Sequence, residues 1–339
     1  MPDKDAETIL ECDAVWKIFG DGAASALRNL GPDPSDDDLK NRKLIAGVRH
    51  ASLKVKKGEI FIIMGLSGSG KSTLLRCMTG LHDLTGGRVL IDGVNIADLS
   101  DRDLVELRRR KISMVFQDFA LLPHLTVLGN VAFPLRVQGA DRRTREEAAR
   151  KMIALVGLEG RETYYPDELS GGQQQRVGIA RSLTTQPEVW FLDEPFSALD
   201  PLIRQDMQSE FLRLQGLLKK TIVFVTHDFD EAVRLADRMA VMKDGRVVQI
   251  GKPEELILDP ADDYVTKFTR DIPKEKVLRV RSIMTAGGTP TNDMAVPAEA
   301  RLVEVAADVI AGEGHHPVLD ASGALLGTLH RRDLAAYLI

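Results

Sequence analysis

Cysteine is almost missing from this sequence. Its two copies among 339 residues, Cys12 and Cys77, lie far apart and form no CxxC pair. A disulfide scaffold and a cysteine zinc site are both unsupported, and a reducing compartment is expected. Basic excess is missing too. The net charge of −5 supplies no positive field for wrapping nucleic acid, so no nucleic-acid partner is expected. Nor does any stretch approach the roughly 18 to 20 uninterrupted apolar residues of a membrane span. The opening MPDKDAETILECD is acidic and polar where a secretory signal would place basic residues before an apolar run. If such a chain works at a membrane, another protein must cross it.

What is present is a core-forming chain with a phosphate-binding motif. Hydrophobic content of 44% can bury a full core, and the length suggests about two domains. Residues 64–73 read MGLSGSGKST, with Gly65, Gly70, Lys71 and Ser72 in the GxxxxGK[ST] arrangement. The apolar run IFIIM precedes it and LLRCM follows it, which is the strand, loop, helix context the motif needs. Glycines let backbone N–H groups point inward at a phosphate, and the next helix adds its positive end. Lys71 then reaches the β- and γ-phosphates, and the Ser72 hydroxyl binds Mg²⁺.

Along the chain, residues 10–19 read as a first strand and 21–46 as a surface insertion, with a short helical stretch and acidic helix-start chemistry in GPDPSDDDLKN. Residues 48–55 alternate as a second strand. A charged helix at 101–110 and a strand at 111–116 lead to Gln117. From 119 to about 165 the pattern is helical, with Ala148, Met152 and Leu155 expected on one face. A further helix spans 174–184. Two continuous apolar strands follow, one ending at Asp193-Glu194 and the other at His227, the kind buried on both faces of a parallel sheet. Between them Leu202, Met207, Phe211, Leu214 and Leu218 fall near helical spacing. Ligands of such sheets gather at strand carboxyl ends, where Gly65, Gln117, Asp193 and His227 all fall.

Asp193 and Glu194 deliver two acids to one rigid place. In a phosphate-loop NTPase the first supports Mg²⁺ and the second can polarise the attacking water. His227 is suited to a γ-phosphate contact, although a histidine alone in that place is more often a satisfied structural one.

The order MGLSGSGKST, Gln117, LSGGQ at 169–173, WFLDEP, SALD and His227 resembles the nucleotide-binding subunit of ATP-binding cassette transporters over residues 9–270. The resemblance implies an α/β fold: a phosphate-loop NTPase core of the ABC type with an antiparallel β subdomain and an inserted helical subdomain at about 118–168, all within residues 1–270. A linker at 271–279 and a small α+β tail at 280–339 would follow. The implied cofactors are ATP and Mg²⁺. Gly65, Ser67, Gly68, Ser69, Gly70, Lys71, Ser72 and Thr73 would hold the phosphates of one ATP. Ser170, Gly171, Gly172 and Gln173 of a second, head-to-tail copy would cap the γ-phosphate, with Asp200 coupling the two sites. Ser72, Gln117 and Asp193 would surround Mg²⁺, Glu194 would be the general base, and His227 would touch the γ-phosphate. Phe19 fits the adenine-stacking aromatic ahead of Trp16.

The insertion, the form of the loop, VFQDFALLPHLTV and FSALDPLIR look like the glycine betaine/proline (quaternary amine) importer branch. That implies an ATPase driving uptake of a compatible solute such as glycine betaine, choline or proline, peripheral on the cytoplasmic face of the inner membrane. Its partners would be an integral permease and, indirectly, an external solute-binding protein. Another small polar solute such as an amino acid is the alternative. In the tail, SIMT, the helix at 300–312, HHPVLD and 327–334 resemble one CBS motif, with His330 where that family's ribose-binding [ST]xxD has Ser or Thr. The roughly hundred residues between Gly65 and Ser170 carry no sustained heptads, unlike chromosome and repair ATPases of the superfamily. A two-cassette translation factor would carry a second copy of the motifs, and a regulatory module without turnover would lack Glu194.

Overall fold

The computed structural model describes residues 7–31, 33–270 and 272–338. The chain divides into two compact units, one up to Ile250 and one from Gly251. The first opens with β1 (Thr8–Phe19), α1 (Ala23–Leu30), α2 (Asp36–Asn41) and β2 (Ile45–Lys56). The phosphate-loop strand β3 (Ile60–Met64) leads into α3 (Lys71–Met78), and β4 (Gly86–Ile91), β5 (Val94–Asn95), α4 (Asp101–Arg110) and β6 (Ile112–Val115) follow. Next come α5 (Val127–Val137), α6 (Arg142–Leu155) and α7 (Gly171–Leu183), which pack against one another. The unit closes with β7 (Val189–Asp193), α8 (Pro201–Leu218), β8 (Thr221–Thr226), α9 (Phe229–Leu235), β9 (Arg238–Lys243) and β10 (Arg246–Gly251).

Two sheets carry this unit. A six-stranded sheet runs in the order β10-β9-β3-β8-β7-β6, with β9, β3, β8, β7 and β6 paired in parallel. Every residue of β3, β7 and β8 is buried, which is why IFIIM, VWFLD and TIVFVT read as unbroken apolar runs instead of alternating ones. A four-stranded antiparallel sheet runs β2-β1-β4-β5. One core joins the two: Leu10 and Val15 of β1 and Val48 and Val55 of β2 belong to the same buried cluster as Phe61, Leu74, Phe191 and Val223.

The insertion after β1 is folded. Ser35 and Asp38 form a capping box that starts α2, so the acidic run is helix-start chemistry as expected. Ala26 and Leu39 of the insertion close a small core with Trp16, Ile18 and Leu44.

Two face assignments shift. On α6 the deepest residues are Ala149 and Ile153, with Ala148, Met152 and Leu155 only half-buried beside them. The stripe is offset by one position, about 100° of helix turn, which apolar spacing alone does not resolve. On α8, Met207, Phe211 and Leu214 are buried, but Leu202 in the first turn is 77% exposed. That turn is fixed by its Asp200 cap and by half-buried Ile203 against Gly172, and it leaves Leu202 in water.

The second unit contains α10 (Pro253–Leu258), α11 (Asp263–Thr269), α12 (Lys274–Val277), α13 (Val280–Ile283), β11 (Thr285–Ala286), β12 (Val296–Pro297), α14 (Leu302–Ala311), β13 (His315–Leu319), β14 (Leu325–His330) and α15 (Arg331–Ala335). Its sheet runs β11-β14-β13-β12 with β12 and β13 parallel. Leu278, Val280, Val296, Leu302, Val309, Val318, Leu329 and Leu334 form its core. The helices α10 and α11, grouped with the first part in the sequence reading, lie in this unit. The stretch read as a linker holds α12 and buries Val277 and Leu278, apart from Asp271, which lies outside the described residues.

Candidate active site

The sheet register brings the motifs to one edge. Met64 pairs with Thr226, Asp193 with Val225, and Val115 with Leu192. The residues just beyond these ends are Gly65, His227, Glu194 and Gln117, so four separated motifs emerge side by side.

Between β3 and α3 the chain makes a tight loop that two glycines permit. At Gly65, with φ +154°, an added Cβ would stand 2.3 Å from Met242 O. Gly70, with φ +98°, would place one 2.2 Å from Gly47 O. The loop is clamped from outside by Gly245, whose N–H donates to Ser69 O at 3.0 Å while its carbonyl accepts from Arg49 N–H at 2.8 Å. Lys71 is 5% exposed, and its Nζ donates to the carbonyls of Gly65 at 2.9 Å and Leu66 at 3.1 Å. Burial lowers its pKa, and the nearby Glu194 and Asp193 raise it. Ser69 is buried and its Oγ has no hydrogen-bond partner among the described residues. A buried hydroxyl of that kind beside a glycine-shaped loop and an ammonium suits an anion better than a packed core. Ser67 and Gly68 form the exposed crest of the loop, and Thr73 is half-buried in the first turn of α3.

Ser72 Oγ donates to Asp193 Oδ1 at 2.7 Å, and Arg76 approaches Asp193 Oδ2 at 3.8 Å. Asp193 is 3% exposed. Burial raises its pKa, while the Ser72 hydroxyl and Arg76 pull it down and Glu194 pushes it up. An oxygen pair from Ser72 and Asp193, one hydroxyl and one carboxylate, is a hard donor set of the sort Mg²⁺ takes with substrate phosphates.

Glu194 is set apart from its neighbour by backbone conformation. Its φ of +46° turns the chain sharply out of β7, and Ser197 Oγ donates to its carbonyl at 2.9 Å. The carboxylate Oε2 lies 3.0 Å from His227 Nδ1, with 17% of the Glu194 side chain and 58% of the His227 side chain exposed. Gln117 is exposed just past β6, level with Glu194.

Phe19 stands 38% exposed with its ring edge-on to His82, centroids 5.6 Å apart, and the Lys17 ammonium 5.2 Å from its centroid. It touches the phosphate loop through Gly47, where a Cβ would meet Phe19 Cε2 at 2.8 Å and Thr73 Cγ2 at 3.0 Å. Trp16, the second aromatic considered, is buried in the small core and presents no face for stacking.

The LSGGQ residues keep to their own helix. Ser170 Oγ accepts from Gln173 N–H, and Gln173 Oε1 accepts from Ser170 N–H at 3.0 Å, a capping box that starts α7. Gln173 is thereby committed to the cap. Ser170 and Gly171 are exposed and Gly172 is buried against Ile203. Asp200 is exposed, and its Oδ1 accepts from Ile203 N–H at 3.1 Å to start α8. Sequence reasoning passed over Gly47 and Arg76. Glycine inside the alternating strand at 45–56 marks a close approach, and Arg76 lies one turn after Ser72 on the same helix face.

Residues 48–197 match the family model described as ABC transporter. The chain is 56% identical over 324 residues to the trimethylamine N-oxide transport system ATP-binding protein TmoW of Ruegeria pomeroyi, covering 94% of this chain and 93% of that one. It is 50% identical over 281 residues to the glycine betaine transport ATP-binding protein OpuAA of Bacillus subtilis, covering 83% and 67%. Among solved structures, the dimeric post-hydrolysis state of the ATP-binding cassette MJ0796 with ADP and Pi aligns with a TM-score of 0.61 and 34% identity, over 72% of this chain and 98% of that one. Identity of more than half over nearly the whole of two chains, on a sheet whose strand ends gather the same motifs, places this chain among the ATP-binding subunits of the ABC transporter family.

Proposed function

We propose that this chain is the ATP-hydrolysing subunit of an importer for a small compatible solute with a methylated nitrogen, trimethylamine N-oxide first and glycine betaine second. The observation that carries the solute is coverage. The match to TmoW takes in 94% of this chain, whereas the match to OpuAA takes in 83% of it and 67% of its own length. Trimethylamine N-oxide shares its methylated nitrogen with glycine betaine and choline among the solutes expected from sequence, whereas proline has none, so the order of candidates changes.

Hydrolysis follows from the strand-end geometry. The 65–73 loop holds the phosphates through its N–H groups and Lys71, with Phe19 against the adenine. Mg²⁺, held by Ser72 and by Asp193 with Gln117 alongside, would neutralise charge on the phosphate oxygens. Glu194 accepts a proton from water as the water oxygen attacks the γ-phosphorus and the bond to the ADP oxygen breaks. His227, 3.0 Å from Glu194, orients that carboxylate and faces the γ-phosphate. Such catalysis is mostly positioning and electrostatics.

The exposed Ser170 and Gly171 at the start of α7 support a head-to-tail dimer, in which a second copy offers this helix end to the γ-phosphate. Packing of α5, α6 and α7 supports a helical subdomain that passes the motion to an integral permease. No helix of the described residues is long and apolar enough to cross a membrane. From its likeness to ATP-binding proteins of transport systems we place the chain peripherally at the cytoplasmic face of a permease, with an external binding protein delivering the solute. The β12-α14-β13-β14-α15 order of the second unit supports a single CBS-like motif.

The test is uptake of labelled trimethylamine N-oxide, glycine betaine, choline and proline by cells carrying the chain with its permease, wild type against Glu194→Gln, at low and high osmolarity. Glu194-dependent uptake of trimethylamine N-oxide is expected. Uptake of none of the four by a competent complex would remove the solute class.

A further inference from the structure

The loop holding Asp200 and the turn holding His227 are joined by one side chain that the motifs do not include. Asp200 starts α8, and its carbonyl accepts from Arg204 N–H at 2.9 Å. One turn in, Arg204 reaches back. Its Nη2 donates to Leu199 O at 3.1 Å, and its Nη1 donates to Asp228 Oδ2 at 3.4 Å. Leu199 precedes Asp200, and Asp228 follows His227.

Asp228 is itself fully used. Its N–H donates to Thr226 Oγ1 at 3.0 Å, and its Oδ1 accepts from Glu231 N–H at 3.1 Å to start α9. Its remaining oxygen meets Arg204. The guanidinium therefore joins a backbone carbonyl on one segment to a carboxylate on the other with two of its nitrogens, a geometry that suits a planar fork better than a point charge. The third nitrogen, Nε, is buried with no hydrogen-bond partner among the described residues. Leaving a charged donor unmet is a poor way merely to fill space. Nor is Arg204 needed to hold α8 to α9, because one turn further on Gln208 Nε2 donates to Glu231 Oε1 at 3.1 Å and Arg234 Nη1 donates to Gln208 Oε1 at 3.0 Å.

We propose that Arg204 is a positioning residue that binds the Asp200 loop to the His227 turn, so that the group reaching toward the second copy and the group at the γ-phosphate shift together. This rests on the roles given above to Asp200 and His227. The path is short: Leu199 O, Arg204, Asp228, then His227 and Glu194.

The experiment is a double-mutant cycle on the full chain in complex with its permease. ATP turnover is followed against ATP concentration for Arg204→Met, Asp228→Asn, the double variant and Arg204→Lys. Asparagine still accepts the α9 cap but carries no charge for Arg204. Arg204→Met is expected to lower kcat about tenfold, equivalent to about 1.4 kcal/mol, with KM for ATP within about twofold and an unchanged melting temperature. Asp228→Asn should lower kcat in the same way, and the double variant should be no worse than Arg204→Met. Arg204→Lys should recover less than half of the loss. Wild-type kcat in Arg204→Met, or losses that multiply in the double variant, would overturn the proposal. Glu194→Gln runs alongside: undiminished turnover there removes the site assignment and the proposal with it, whereas a dead Glu194→Gln beside a normal Arg204→Met removes the proposal alone.

Discussion

Gly47→Ala should weaken ATP binding while leaving hydrolysis of bound ATP intact. The new methyl would lie 2.8 Å from Phe19 Cε2 and 3.0 Å from Thr73 Cγ2. Carbon atoms settle at about 3.5 to 4.0 Å, so the Phe19 ring must retreat by roughly 0.7 Å and Thr73 must turn its methyl away by roughly 0.5 Å. Thr73 is held in the first turn of α3, whereas Phe19 is 38% exposed and can swing outward. The ring gives way, and its contact with His82 and its place beside the phosphate loop go with it. Stacking of a base on an aromatic ring contributes about 1 to 3 kcal/mol, so KM for ATP should rise roughly 5- to 150-fold. Glu194 and His227 lie on other strand ends, and the Lys71 ammonium is anchored on the carbonyls of Gly65 and Leu66, so kcat should stay within about twofold. Steady-state turnover over a wide ATP range reads both quantities. Phe19→Ala should give a similar KM, and the double variant no more than Phe19→Ala. A Gly47→Ala protein with wild-type KM would refute both the seating of Phe19 and its role at the adenine.

Asp193→Asn should stabilise the fold near neutral pH. Burial holds the Asp193 carboxyl above its usual range, so the folded state favours its proton, and that contribution is present at low pH and lost as pH rises. Urea midpoints should therefore be higher for the variant at pH 7, with the gap closing below about pH 4; a less stable variant at pH 7 would contradict this. Ser170→Ala removes the cap of α7 and should cost about 1 kcal/mol in denaturant unfolding as well as reduce ATP turnover. Loss of neither would remove the capping role. Burial pushes the Cys77 thiol up to about 12 and the Cys12 thiol further, so a thiol reagent should label neither in the native protein at pH 8. Labelling that precedes unfolding would show that this core opens.

What the sequence made legible was whatever depends on local chemistry or on a run of one character. The three buried strands, the phosphate loop, the helix-start chemistry around Ser35 and the strand-end acids all declare themselves within about ten residues of chain. The contacts that seat these groups join distant segments. Gly47 meets Phe19 and Thr73, Gly245 holds Ser69, and Arg204 joins Leu199 to Asp228. Nothing in the local pattern announces a partner 24 residues away, as Asp228 is from Arg204. Leu202 shows the converse failure. It fits the helical spacing of Met207, Phe211 and Leu214, but the turn that carries it is capped by Asp200 and packs through Ile203, so Leu202 itself stays in water.

Glu194 shows how such a site departs from local preference. If β7 simply continued, successive side chains would point to opposite faces of the sheet, and an acid following Asp193 could not be aimed by strand geometry alone. The chain instead turns left-handed at Glu194, a conformation that costs a residue with a Cβ about 1 to 2 kcal/mol. Glycine would relieve that cost but would bring no carboxylate. The compensation lies around the turn: Glu194 N–H donates to Val225 O at 3.0 Å, its carbonyl accepts from Ser197 Oγ, and its carboxylate meets His227. Two of those contacts attach Glu194 to β8 and the turn after it. The strand that carries the base is thereby held to the strand that carries the histidine, and the acid is aimed by its neighbour's register and not by its own strand. A change in the β7 and β8 pairing should consequently damage hydrolysis before it damages nucleotide binding, because the 65–73 loop belongs to β3, whose register with β8 and β9 would still hold it.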